Sequence, residues 1–392
     1  MRKLLSMGIF LIIIVFLTGC GKADNYYKNG KKSFENGSYE KAALSFEKAI
    51  KKNPNKAEYL IDYGMTLIAL GKYEDSIKQF DLAYMDKNLK IVRENNKRVY
   101  RGKGIAYYHI QQYQKAVTEF EKAVDISELP KLNEDILYYM GSSLIAIGSY
   151  DKAIDVYTTI LTEDDKNASA YSNRAFCYRN KNEFEKSLTD YNKAIKVDSK
   201  DYYSYYGKYF LLLDMGDEAG ALEVLNEAAK IKDETTEGEY NKAKVSYFLG
   251  DYETALAELN KGFTNGFTEA YYYIGEIYRH NKDYPNAIYY YENYIKSGSI
   301  NSPNVYNQIA SCLMKNGNSE DAIEYLELGL SYNQADTLQI LKKNEIIAYE
   351  NLGKYDLAKE KLTDYLKNYP DDDKALREVT FIDTRLNDMS AE

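Results

Sequence analysis

Tryptophan is absent from this 392-residue chain, and histidine occurs twice, cysteine three times and proline five times. Each scarcity removes a class of chemistry. His109 and His280 lie far apart in sequence, which argues against a histidine-based metal site or catalytic triad. Cys177 and Cys312 are equally distant, each inside a helical apolar pattern, so they read as buried free thiols rather than a disulfide. No glycine-rich phosphate loop, HExxH or GxSxG occurs, and without a convergent acid, base or nucleophile no enzyme is expected. Neither a cofactor nor a metal is implied. A basic stripe is missing as well. The formal net charge is −9, and residues 57–392 alone carry −16, which argues against a nucleic-acid partner.

What is present in abundance is repetition. A turn written Gly148-Ser149-Tyr150-Asp151-Lys152-Ala153 recurs at Gly37, Gly71, Gly250 and Gly353, with looser copies at Gln111, Asn182, Gly216, Lys282 and Gly317. The ten starts are separated by 34, 40, 37, 34, 34, 34, 32, 35 and 36 residues. Five residues on, every copy has Ala or Ser: Ala42, Ser76, Ala116, Ala153, Ser187, Ala221, Ala255, Ala287, Ala322 and Ala358. Nine residues on comes a large apolar side chain, such as Phe46, Phe80, Phe120, Tyr157 or Leu362.

Apolar residues at helical spacing run up to each turn and away from it, as with Leu60, Tyr63, Gly64, Leu67 and Leu70 before Gly71. Glycine just past a helix end takes the left-handed conformation cheaply. A small residue at +5 suits the closest crossing of two helices. Pro54 and Pro370 fall where second helices should stop. Each unit reads as helix–turn–helix, and a period near 34 signals a stacked array rather than several globular domains.

This pattern resembles the tetratricopeptide repeat, whose first helix carries a bulky residue, then Gly or Ala, then an aromatic. Here these are Tyr59/Leu60, Gly64 and Leu67; Tyr100, Gly104 and Tyr107; and Leu137, Gly141 and Leu144. Later copies have Tyr171, Ala175 and Tyr178; Tyr271, Gly275 and Tyr278; and Tyr306, Ala310 and Leu313. The resemblance implies an all-α fold, a right-handed α-solenoid of about ten repeats over residues 23–370. Residues 371–392 would form a capping helix and tail, with Ala375, Val379, Ile382 and Leu386 on one face.

The opening Met1-Arg2-Lys3, the apolar run Leu4–Leu17 and Leu17-Thr18-Gly19-Cys20 read as a secretory signal over 1–19. The last four residues look like a bacterial lipobox, so Cys20 would carry lipid, with 20–22 as a short linker. The alternative is an uncleaved signal anchor. Either places the array on the extracytoplasmic side of a membrane. Lys22–Lys56 holds nine lysines against four acidic residues. That basic first repeat suits anionic lipid, or is a solvated helix face. Extra residues around Asp86–Asn96 and Ser127–Asn133 should be loops or extended helix ends. Copies six and seven depart most from the pattern (Tyr209, Glu218, Glu239), and a softer junction is expected around Lys232–Glu239.

In the resembling family, first helices line a concave face that takes peptides or protein segments. Carried over by phase, candidates are Tyr138 and Tyr139; Asn173, Phe176 and Arg179; and Tyr206 and Phe210. Further on come Tyr240, Asn241, Lys244 and Tyr247; and Tyr272, Tyr273, Glu276 and Arg279. A Lys/Asn clamp for acidic peptide ends is not evident, since copy three offers Arg101 and Ile105. Residues 201–260 have five basic against thirteen acidic side chains, which favours a basic or mixed-charge segment. The 42 tyrosines read mostly as packing, their hydroxyls reaching water or backbone. The expected function is a membrane-anchored scaffold that docks a protein or peptide segment, with a role in envelope assembly. The alternative is a glycan, peptidoglycan or small-ligand receptor using the same tyrosines.

Overall fold

The structure, a computed structural model, describes residues 21–264, 266–298, 303–332 and 335–391; the signal segment and Cys20 lie outside them. Every regular element among the described residues is helical. The first six pairs are α1 (21–35) with α2 (Tyr39–Lys52), α3 (Ala57–Ala69) with α4 (Tyr73–Ala83), and α5 (Lys90–His109) with α6 (Tyr113–Val124). Then come α7 (Asn133–Ala146) with α8 (Tyr150–Glu163), α9 (Ala168–Asn180) with α10 (Phe184–Val197), and α11 (Tyr202–Asp214) with α12 (Glu218–Ala228).

The last four pairs are α13 (Thr236–Phe248) with α14 (Tyr252–Thr264), α15 (Ala270–His280) with α16 (Tyr284–Lys296), α17 (Pro303–Lys315) with α18 (Ser319–Ser331), and α19 (Ala335–Asn351) with α20 (Tyr355–Asn368). A final helix, α21 (Asp373–Ala391), packs on α20 and lays Ala375, Val379, Ile382 and Leu386 into the cluster around Leu362 and Tyr365.

All ten turn residues have left-handed backbone, from φ 59° at Asn182 to φ 83° at Gly317. The amide one residue later bonds back across the helix end, as Lys72 N to Leu67 O (2.8 Å) and Ser149 N to Leu144 O (2.8 Å). This closes the first helix and sends the chain back antiparallel within three residues. Gln111, Asn182 and Lys282 adopt the same geometry without being glycine. α2 stops two residues before Pro54, and α20 two before Pro370.

All ten residues at +5 are fully buried. The side chain at +9 then lies flat against the first helix of its own pair. A methyl group added to Gly64 would sit 2.7 Å from Phe80, and one on Gly104 would sit 2.4 Å from Phe120. Gly141 faces Tyr157 and Gly275 faces Tyr291 in the same way. Among the described residues, hydrophobic burial is therefore distributed over several separate clusters along the array.

The extra residues in copies three and four appear as a loop at 84–89 ahead of the 20-residue α5, and as a 3-10 turn at Pro130–Leu132. The chain divides into two compact units, one through Ala221 and one from Leu222, and the division falls within α12. It thus lies in copy six, about ten residues before the polar Lys232–Glu239 stretch where a softer junction was expected.

Candidate functional site

Within each unit the first helices lie side by side, and their outward positions meet the next first helix about one repeat on. Polar links at that spacing stitch them together. Tyr27 Oη donates to Asp62 Oδ2 (2.7 Å), and Arg98 Nη2 donates to Asp62 Oδ1 (2.6 Å). Arg101 Nε reaches Asp135 (2.5 Å), Arg179 Nε reaches Asp214 (2.5 Å), and Asn344 Nδ2 reaches Asn307 (2.6 Å).

Four of the phase-derived candidates, Tyr138, Arg179, Tyr240 and Lys244, make such links, and others are held by ring contacts or by their own pair. In the first unit, the Tyr138 hydroxyl donates to Asn167, the residue that caps α9, and burial pushes its phenol up to about 12. Tyr139 stacks on Phe120 at 6.0 Å and meets Tyr108 edge-on. Asn173 bonds its own helix at Ser169 O (2.8 Å), and Phe176 is half-buried. Arg179 lies over Phe210 while it holds Asp214. Tyr206, expected on an open face, is buried beside Tyr202.

The second unit behaves alike. Tyr240 is buried, stacks on Phe267 at 4.5 Å and donates to Glu269 (2.9 Å). Lys244 pairs with the same Glu269 (3.3 Å) and lies over Tyr273. Asn241 is half-buried, and Tyr247 meets Tyr273 edge-on at 5.1 Å. Tyr272 packs among Tyr291 and Tyr294. Glu276 is buried, accepting from Tyr291 Oη (2.5 Å) and Arg279 Nη2 (2.6 Å). Many of these side chains are thus packed against or held by a neighbouring element, and aromatic rings fill much of the space around them.

The tyrosine hydroxyls also go elsewhere than expected. Several donate to carboxylates rather than to water or backbone: Tyr63 to Glu47 (2.6 Å), Tyr325 to Glu292 (2.8 Å) and Tyr365 to Asp372 (2.6 Å). Burial, then the carboxylate, raises the Tyr63 and Tyr325 phenols. Each histidine packs on the turn tyrosine of the preceding copy, His109 stacked on Tyr73 and His280 tilted against Tyr252. Cys177 and Cys312 are free and buried, with burial pushing their thiols up to about 12 and about 11. Lys97 is buried, its ammonium held by Ile126 O and Asn133 Oδ1 (both 2.7 Å). No group of metal-ligating side chains converges among the described residues. Nor is any helix there long and apolar enough to cross a membrane.

Open apolar space exists at the amino-terminal end of the first unit. A cleft of about 330 Å³ is lined by Lys31, Phe34, Glu35, Phe46, Asp62, Met65 and Arg98. Phe34, Phe46 and Met65 form its apolar part, and two cations with two carboxylates surround them. In copies one and two the same phase falls on Lys31, Phe34, Asp62 and Met65, so the sequence carries the signal. Phe46 was legible only as the packing residue at +9, and Arg98 and Glu35 fall outside the phase.

Comparison with known proteins places this geometry. Four models described as tetratricopeptide repeat match residues 27–89 and 240–305, 98–128 and 303–336, 135–166 and 347–372, and 168–201. The chain is 26% identical over 179 residues to Hsp70-Hsp90 organizing protein 1 of Glycine max, covering 38% of this chain and 31% of that protein. The Triticum aestivum Hsp70-Hsp90 organizing protein is also 26% identical over 179 residues, with 30% of its length covered. The chain thus spans under a third of either relative. A tetratricopeptide repeat protein from Parabacteroides merdae superposes with a TM-score of 0.50 at 18% identity, over 63% of this chain and 94% of that one; it shows the fold alone. The family matches reach nine of the ten copies and leave aside copy six, where Tyr209 and Glu218 break the pattern. The chain belongs to the tetratricopeptide repeat family.

Proposed function

We propose that this protein is a membrane-attached extracytoplasmic scaffold that docks an extended, mixed-charge protein segment on its first-helix face. The cleft between α1, α2, α3 and α5 takes an apolar anchor of that segment. The observation that carries the reading is the apolar floor of this cleft, where Phe34 and Met65 are half-buried above the fully buried Phe46 ring. A buried Leu- or Phe-sized side chain there would contribute roughly 1.5–3 kcal/mol. Asp62 and Arg98 are already paired, so they present a fixed dipole rather than a lone charge. Lys31 and Glu35 are exposed at the rim, and each can pair with an opposite charge on the segment.

Attachment to the membrane rests on the apolar Leu4–Leu17 run and Cys20, with the lysine-rich first repeat beside them. The tetratricopeptide fold is suited to protein and peptide partners, and no catalytic family is indicated, which supports a scaffold over an enzyme. The test is affinity purification of the full chain from detergent-solubilised membranes, beside Lys31→Glu and Met65→Glu variants. A protein recovered with the parent and lost with both variants supports the reading. Equal recovery by all three refutes docking in this cleft.

A further inference from the structure

The loop between α4 and α5, with the helix ends that flank it, carries the densest exposed apolar surface among the described residues of the first unit. Leu82, Tyr84, Met85, Leu89 and Ile91 are 68%, 43%, 38%, 58% and 52% exposed. A solvated connection rarely gathers five large apolar side chains within ten residues. Nor is the loop loosely held. Asn96, itself buried, accepts from Met85 N (3.3 Å) and donates to Met85 O (2.8 Å), gripping the loop at both backbone groups. Arg93 Nη1 holds Asn88 (2.6 Å), while another arm of Arg93 reaches Glu128 in the next connection (2.6 Å). Tyr84 packs on Tyr100 at 5.8 Å. The fold thus spends a buried amide and an ion pair to keep a greasy tip in one position.

Repeat phase says where the tip lies. The position matching Ala57 at the start of α3 is Lys97, yet α5 begins at Lys90. Seven extra residues carry the helix about 10 Å past the line where neighbouring first helices start. In an alternating stack this is the edge on which α1 also starts, one residue after Cys20. Lys56, which caps α3 there, reaches back to Asp24 in the first turn of α1 (3.1 Å) and so ties the two starts together. The same edge carries Lys22, Lys51 and Lys52, all exposed, and Lys87 and Lys90 on the tip. The acids beside them include Asp24 and Glu58, both near Lys56, Asp86 on the tip, Glu94 beside Lys90 (3.9 Å) and Glu128 against Arg93 (2.6 Å).

An apolar tip, exposed lysines and the start of α1, which follows Cys20 in sequence, share one edge and define a surface for an anionic bilayer. We infer that the 82–91 loop is a second membrane contact, in which Leu89, Ile91, Met85 and Tyr84 enter the lipid boundary while the lysines meet headgroups. It would fix the tilt of the first unit, so that its cleft stands at a set height above the membrane. The inference rests on the proposed membrane attachment and does not use the cleft.

Because the protein has no tryptophan, Leu89→Trp makes a single-site reporter, and Leu44→Trp on α2, where Leu44 is 57% exposed, makes its control. The full chain of each is reconstituted into vesicles of phosphatidylglycerol and phosphatidylethanolamine, with and without brominated acyl chains. Flotation reads attachment; emission reads the loop. The expected result is a blue shift and loss of emission to brominated lipid for Leu89→Trp, no such loss for Leu44→Trp, and relief of quenching when Ile91→Asp is added. A floating chain with equal emission at both sites overturns the loop contact alone. Failure to float overturns the attachment as well. A blue shift that appears without vesicles and grows with protein concentration also overturns the inference, by assigning the patch to a second copy of the chain.

Discussion

Replacing Gly104 by alanine tests the packing rule that generates the array. Alanine favours a helix interior over glycine by about 1 kcal/mol, so propensity alone makes Gly104→Ala stabilising. Packing opposes this. The new methyl carbon would lie 2.4, 2.6 and 2.8 Å from Phe120 Cε1, Cδ1 and Cζ, whereas ordinary contact needs about 3.5 Å or more. The ring would have to move by about 1 Å. Phe120 is fully buried and Tyr139 stacks on it at 6.0 Å, so the shift must displace neighbours. Copy five shows what relief looks like: Ala175 faces Tyr191 there, and Gly207 leaves space beyond that ring.

Overpacking of this kind costs about 1–3 kcal/mol, which outweighs the propensity gain and leaves a net loss near 1 kcal/mol. Four copies place leucine at +9 (Leu225, Leu259, Leu326 and Leu362), so Phe120→Leu should relieve the clash. Its combination with Gly104→Ala should therefore be more stable than additivity predicts, by about 1 kcal/mol or more. Urea denaturation followed by circular dichroism gives the totals. Amide exchange in α5 and α6 localises them, since a linear array need not unfold in one step. If Gly104→Ala alone stabilises the protein, or the two substitutions are additive, the ring-on-glycine contact does not limit the spacing of the helices.

Other consequences are simpler. Gln111→Gly and Lys282→Gly remove side chains from left-handed positions and should each stabilise by about 0.5–1 kcal/mol, while Asn182→Gly should change little; thermal unfolding ranks them. Burial, then the neighbouring Glu378, pushes the Glu350 carboxyl up to about 7. The folded state therefore keeps a proton that the unfolded chain releases near pH 4.5, and the contact of α19 with α21 weakens as pH rises from there to 7. Glu350→Gln should abolish that dependence, a difference of roughly 1–2 kcal/mol after solvent screening, read from unfolding midpoints at pH 5 and 8. The Cys177 and Cys312 thiols, buried and raised, should resist a thiol-specific reagent in the native protein and react in denaturant; rapid native labelling of either would contradict their placement.

The architecture was readable because a repeat states its constraints ten times. Left-handed turns, small crossings and flat rings each need one residue type at one phase, and noise in single copies such as Gln111 or Glu218 averages out. The binding face was less readable for a physical reason. Phase tells which way Tyr240 points, but not that Phe267 and Glu269 of the following connection cover its ring and hydroxyl. Glu276 read as an exposed contact because phase does not show the Tyr291 hydroxyl of the second helix reaching it, beside Arg279 one turn on. The cleft draws on three copies at once. Lys97 and Asn96 could not be anticipated, since their partners lie in connections that obey no repeat.

The central claim, that the first-helix face holds another polypeptide at the amino-terminal cleft, is tested most directly by photocrosslinking in living cells. A photoreactive phenylalanine analogue placed at position 65 should yield a discrete protein adduct, and the same group at position 44 on α2 should not. Absence of an adduct at 65, or the same adducts from both positions, would contradict the account.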